Sequence, residues 1–122
     1  MAYDQGLAAR VRAIVNERIG GGAPADEKRM FGGLAFMVNT HMAVGLHNGG
    51  GLIMPVGADG EPAAIERGAV PMTMGGRSMS GWVVVPDDVI ADDAELASWV
   101  ESGVAGALAK EPKKPAGNRQ VG

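Results

Sequence analysis

Apolar residues recur at helical spacing from the start of the chain, where Leu7, Val11, Ile14 and Val15 repeat every three or four positions up to Ile19. Asp4 stands where a helix needs an N-cap, and Gly20-Gly21-Gly22 supplies the left-handed residue that ends one. The pattern predicts a first helix and then a loop through Pro24 and Asp26. From there the period shortens. Met30–Val38, Met42–His47 and Leu52–Val56 read as strands, separated by the turn-forming runs Asn39-Thr40 and Asn48-Gly49-Gly50-Gly51. These three form an antiparallel meander, and Pro55, which lacks a ladder donor, belongs at an edge or a bulge. A short helix from Pro62 to Arg67, closed by Gly68, leads to two more strands, Val70–Met74 and Met79–Val85, joined by Gly75-Gly76-Arg77-Ser78. A last helix begins at Asp92, where Asp92 and Glu95 have capping-box spacing. Leu96, Trp99, Val100, Val104 and Leu108 follow along one face.

The order αβββαββα defines an α+β class, a mostly antiparallel sheet packed by terminal helices. One feature of the strands bears on function. In Met30–Val38 both alternating sets are apolar: Met30, Leu34, Phe36 and Val38 on one side, Phe31, Ala35 and Met37 on the other. Trp82 and Val84 oppose Val83 and Val85 in the same way. A sheet apolar on both faces has to be covered on both. Either the helices divide between the faces, or a second chain covers one, with Phe31, Met37 and Trp82 as the expected interface.

Composition narrows the class. At 122 residues with 46% hydrophobic residues the chain is one domain, large enough to bury about two thirds of its unfolded surface. Residues 1–110 form that domain, and residues 111–122, rich in Pro, Lys and Gly, read as a disordered basic tail. There is no cysteine, which excludes disulfides, thiolate metal sites and a cysteine nucleophile. The first residues lack the basic and apolar regions of a secretion signal, and no apolar stretch is long enough to span a bilayer, so the expected location is cytoplasmic. With a formal net charge of −3 there is little to neutralise a phosphate backbone, which disfavours nucleic-acid binding by this domain alone.

Candidate chemistry is sparse. His41 and His47, six residues apart on one strand, would lie about 20 Å apart, too far to share a metal. Asp87-Asp88 and Asp92-Asp93 could form a hard-metal site, but acids at the start of the last helix are accounted for by capping and the helix dipole. The twenty glycines contain neither a phosphate-loop nor a dinucleotide-binding pattern. Lys28, Arg29 and Arg77 flank glycine-rich turns; if those turns share one end of the sheet, they form an anion- or partner-binding patch. Eight methionines, with Met72, Met74 and Met79 close together, serve either as core filler or as a plastic binding surface. No nucleophile–base pair and no cofactor is indicated.

Lys28-Arg29-Met30-Phe31-Gly32-Gly33-Leu34-Ala35-Phe36 resembles the N-terminal domain of the TfoX/Sxy family of bacterial competence regulators. Tyr3-Asp4-x-x-Leu7, Met42-Ala43-Val44-Gly45 and Gly76-Arg77-x-Met79-x-Gly81-Trp82-Val83 carry the same likeness, together reaching from the N-terminus to about Leu108. The resemblance implies a compact α/β sandwich-like fold related to secretion-chaperone-like domains. In long family members a helical C-terminal domain follows and the protein promotes competence-gene transcription; this chain carries the first domain and a short basic tail. Family members tend to have a basic residue where this chain has Pro55, which argues against an anion patch. The family brings no catalytic residue to transfer. The expectation is therefore a non-enzymatic regulatory or protein-interaction module, most simply a homodimer with an unidentified protein partner as an option. A small anion- or nucleic-acid-binding domain is the alternative.

Overall fold

A computed structural model describes residues 4–20, 25–30, 33–47 and 49–110. The N-terminal helix forms as the sequence indicates. α1 (Gln5–Ile19) is capped by Asp4, whose carboxylate accepts from the backbone N–H groups of Gly6 and Leu7, and it ends at Gly20 in the left-handed region. Where a loop was expected, a strand follows. β1 (Ala25–Met30) pairs antiparallel with β2 (Gly33–Val38), so the expected single strand Met30–Val38 is the end of one strand and all of the next. Asp26-Glu27-Lys28-Arg29 shows no apolar alternation because β1 is an edge strand, held by its ladder and by Arg12 of α1, which forks onto Glu27 at 2.5 and 2.8 Å.

β3 (His41–Leu46) follows through Asn39-Thr40, both at positive φ as a tight two-residue hairpin requires. Asn39 Nδ2 donates to the carbonyls of Ala107 and Lys110, tying that hairpin to the end of the last helix. β4 (Leu52–Pro55), a 3₁₀ turn (Ala58–Gly60), α2 (Glu61–Glu66), β5 (Val70–Met74) and β6 (Arg77–Val85) complete the sheet, in the order β1-β2-β3-β4-β6-β5 with every pairing antiparallel. A short α3 (Asp87–Ile90), too brief to leave a periodic signal, precedes α4 (Asp93–Ala109), which Asp92 caps. Leu108, expected on the buried face of α4, is 42% exposed; Gly103 and Ala107 take that place against the sheet.

All four helices contribute to one core. Leu7 and Val11 of α1, Ala64 of α2, Ile90 of α3 and Trp99 and Val100 of α4 share a cluster with Leu34, Phe36, Val44, Leu46, Leu52, Met54, Val83 and Val85 of the sheet. The helices do not divide between the two faces. No helix among the described residues is long and apolar enough to cross a membrane.

Candidate functional site

The side of the sheet turned away from that cluster is the first feature the fold leaves open. Register carries one row across all six strands: Lys28, Ala35, Gly45, Ile53, Val84 and Val70. Its centre is sealed within the protomer. Ala35 and Ile53 are buried but lie outside the helix-side cluster, as does Met72 in the bulge of β5. Met42 folds across Gly45, a position that has no side chain to displace it. Exposure then rises toward the β5 edge, where Val84 is half-buried and Val70 is 47% exposed.

The expected interface residues fall partly on this face. Met37, paired with Asp26 and Met42, and Trp82, paired with Pro55, project from it and are half-buried, three strands apart. Phe31 lies outside the described residues. The apolar surplus seen in the sequence is therefore partly absorbed by the sheet's own side chains and partly presented outward. Strands β2, β3, β4 and β5 contain no Asp, Glu, Lys or Arg, and β6 carries charge only at its first residue, Arg77, so the row itself is charged only at Lys28, with Asp26 beside it on β1.

The three cations of the proposed patch do not converge. Lys28 and Arg29 are not in a loop but on edge strand β1, where as neighbours they point to opposite faces. Arg77 opens β6, four strands across the sheet. Lys28 shares its row with Val84, seven residues along β6 from Arg77, so ladder spacing puts the two roughly 30 Å apart. Strand order, which the local sequence does not encode, separates them.

The remaining polar candidates have structural duties. His47 Nδ1 accepts from the N–H of Gly49, and the His47 backbone bonds to Gly50 and Gly51, so it pins the β3–β4 loop. His41 opens β3. The aspartates disperse: Asp87 accepts from the N–H of Gly51 at 2.9 Å, Asp92 caps α4 and Asp93 pairs with Arg10 at 2.6 Å. Among the described residues no group of three or more His, Asp or Glu side chains could hold a metal ion. One carboxyl is perturbed. The hydrogen bond from Arg12 holds Glu27 below its ordinary range, against an opposing contribution from partial burial and with a smaller Coulombic one from the same Arg12.

A second open feature was not legible in the sequence. A cleft runs between α2 and α4, and at one end the guanidinium of Arg67 lies 4.0 Å over the ring of Trp99. These residues are 32 positions apart, and no local spacing signals their meeting.

The TfoX N-terminal domain family matches residues 17–107 of the chain, three quarters of its length. No curated protein and no solved structure matches it.

Proposed function

Because the chain belongs to the TfoX N-terminal domain family, we propose that it is a non-enzymatic, cytoplasmic regulatory module that works as a homodimer, two copies meeting through the helix-free face of the sheet. The observation that carries this reading is the row Ala35–Gly45–Ile53–Val84–Val70, apolar throughout and increasingly exposed toward β5, on the side that the helical core does not occupy. A strongly charged partner would find nothing to pair with on β2, β3, β4 or β5, and on β6 only Arg77 at its start. A second copy presents the same apolar face, and its Asp26 and Lys28 can answer Lys28 and Asp26 along the β1 margin.

Size sets the expected strength. Five strand spacings by about five residues of strand give a face of roughly 400 Å², against about 800 Å² per partner in a standard stable interface. Pairing through this face alone is therefore weak and concentration-dependent. Sedimentation velocity from micromolar to millimolar protein should show a monomer–dimer equilibrium. Val70→Lys, at an already exposed position, should abolish it without lowering the melting temperature. A strict monomer at millimolar concentration, or a dimer indifferent to Val70→Lys, would refute the proposal. The anion- or nucleic-acid-binding alternative has no such support, because Lys28, Arg29 and Arg77 share no surface.

A further inference from the structure

On the helix side the sheet is split. β3 and β4 share only the pairs Gly45↔Ile53 and Leu46↔Leu52, and from Met54 onward β4 is paired with β6 alone. Above this split α2 and α4 stand apart, leaving two adjoining chambers of about 290 and 200 Å³ that share Pro55, Val56, Gly103 and Gly106. A single drug-sized ligand typically occupies a cavity of about 300 Å³ or more.

The lining is chemically biased. Its charged members are Arg67 at one end and Lys110 at the other, and no carboxylate lines either chamber. Trp99, 2% exposed, forms part of the wall beside Arg67, and its indole Nε1–H is the one buried side-chain N or O among the described residues without a hydrogen-bond partner. A buried donor left unmatched is unfavourable, and an acceptor brought by a ligand would supply the missing hydrogen bond. Arg67 lies across the indole and donates to Ser98 Oγ at 3.0 Å, with Glu95 at 3.7 Å, too long for a hydrogen bond. Its side chain is 39% exposed, so it can swing from the ring and turn its fork to a new oxygen.

We propose that this cleft binds a small amphipathic carboxylate. Its apolar body lies along Pro55, Val56 and the glycine floor of α4. Its carboxylate sits at the Trp99 end, accepting from the indole N–H and from Arg67. Arg67 and Gly106 lie at the end of α2 and on α4, away from Val70 and the apolar row, so variants at these positions leave self-association separately measurable.

The test uses the ¹⁵N-labelled full chain titrated with octanoate. The two tryptophan indole resonances are assigned with Trp82→Phe. The Trp99 indole proton should move downfield saturably. Arg67→Ala should weaken binding by about tenfold or more, the worth of one charge-assisted hydrogen bond. Gly106→Leu should abolish binding while the fold persists, because a Cβ at Gly106 meets nothing within 4 Å and its side chain would fill the cleft. Octanol should bind far more weakly than octanoate. The proposal is overturned by no saturable shift at millimolar octanoate, by octanol binding equally well, or by Arg67→Ala binding like the parent.

Discussion

Gly103→Ala is the sharpest probe of how α4 is seated. A Cβ built on Gly103 would stand 3.0 Å from the carbonyl carbon of Ala43, nearer still to its oxygen, and 3.4 Å from Met54 Cε. Optimal contact between carbon atoms is about 3.5–4.0 Å, so clearing the carbonyl carbon alone would lift α4 from β3 by roughly 0.5–1 Å, and its nearer oxygen demands more. The obstacle is backbone in a paired strand and cannot rotate aside. Lifting the helix would loosen Leu96, Trp99, Val100 and Val104, each at most 2% exposed. Overpacking of this kind costs about 3 kcal/mol, offset by about 1 kcal/mol from the better helix propensity of alanine. The net loss of about 2 kcal/mol corresponds to a melting temperature lower by about 8 °C. Gly106→Ala is the internal control. It lies one turn on in the same helix with open space at its Cβ, so it should gain about 1 kcal/mol, or about 4 °C. Thermal and urea unfolding of the two variants beside the parent decides the matter. If Gly103→Ala melts at or above the parent, α4 does not approach Ala43 as described and the reasoning fails.

Other consequences are checked by the same measurements. Because the Glu27 carboxyl titrates below its ordinary value of 4.5, the Arg12–Glu27 pair stabilises the fold at neutral pH and loses that contribution as pH falls below 4.5 through the folded-state value. Both side chains are a third or more exposed, so Glu27→Gln should cost only about 0.2–1 kcal/mol at pH 7; the parent and variant curves should converge as pH falls through the folded-state value, and a gap that widens on acidification would contradict the sign. Asp4→Ala removes the acceptor of two N–H groups at the start of α1 and should cost about 1 kcal/mol in urea unfolding, whereas Asp4→Asn should cost much less. Leu96→Ala, at a fully buried site, should cost about 2–5 kcal/mol and Leu108→Ala less than about 0.5 kcal/mol; equal effects would mean that the buried face of α4 is misassigned.

What could be read from the chain followed the range of the interactions. Asp4 and Asp92 announce helices because a cap is local chemistry, and both caps form. Asn39-Thr40 announces a hairpin for the same reason. β1 was missed because an edge strand bearing Asp26, Glu27, Lys28 and Arg29 has no buried face to enforce alternation; its partner, not its own pattern, makes it a strand. The placement of β6 between β4 and β5 is equally non-local, and it alone moves Arg77 away from Lys28 and Arg29. The outward apolar face was legible as a surplus of apolar alternate positions. How far that surplus is self-covered depended on Met42 lying over Gly45, which no periodicity reveals.

The two α4 glycines place opposite demands on one helix, and the difference bears on the cleft. Gly103 is required, because any side chain there would meet the β3 backbone and lift the helix from the sheet. Gly106 is under no such constraint: its surroundings are open, and it has no positive φ that only glycine adopts easily. A glycine inside a helix without a steric reason forgoes about 1 kcal/mol relative to alanine. Here that loss leaves the floor of the cleft bare, next to an unmatched indole N–H and between two cations with no anion in the wall. An unfilled floor and an unmatched donor are each unfavourable to a structure serving stability alone, and a bound carboxylate with an apolar body would make use of both.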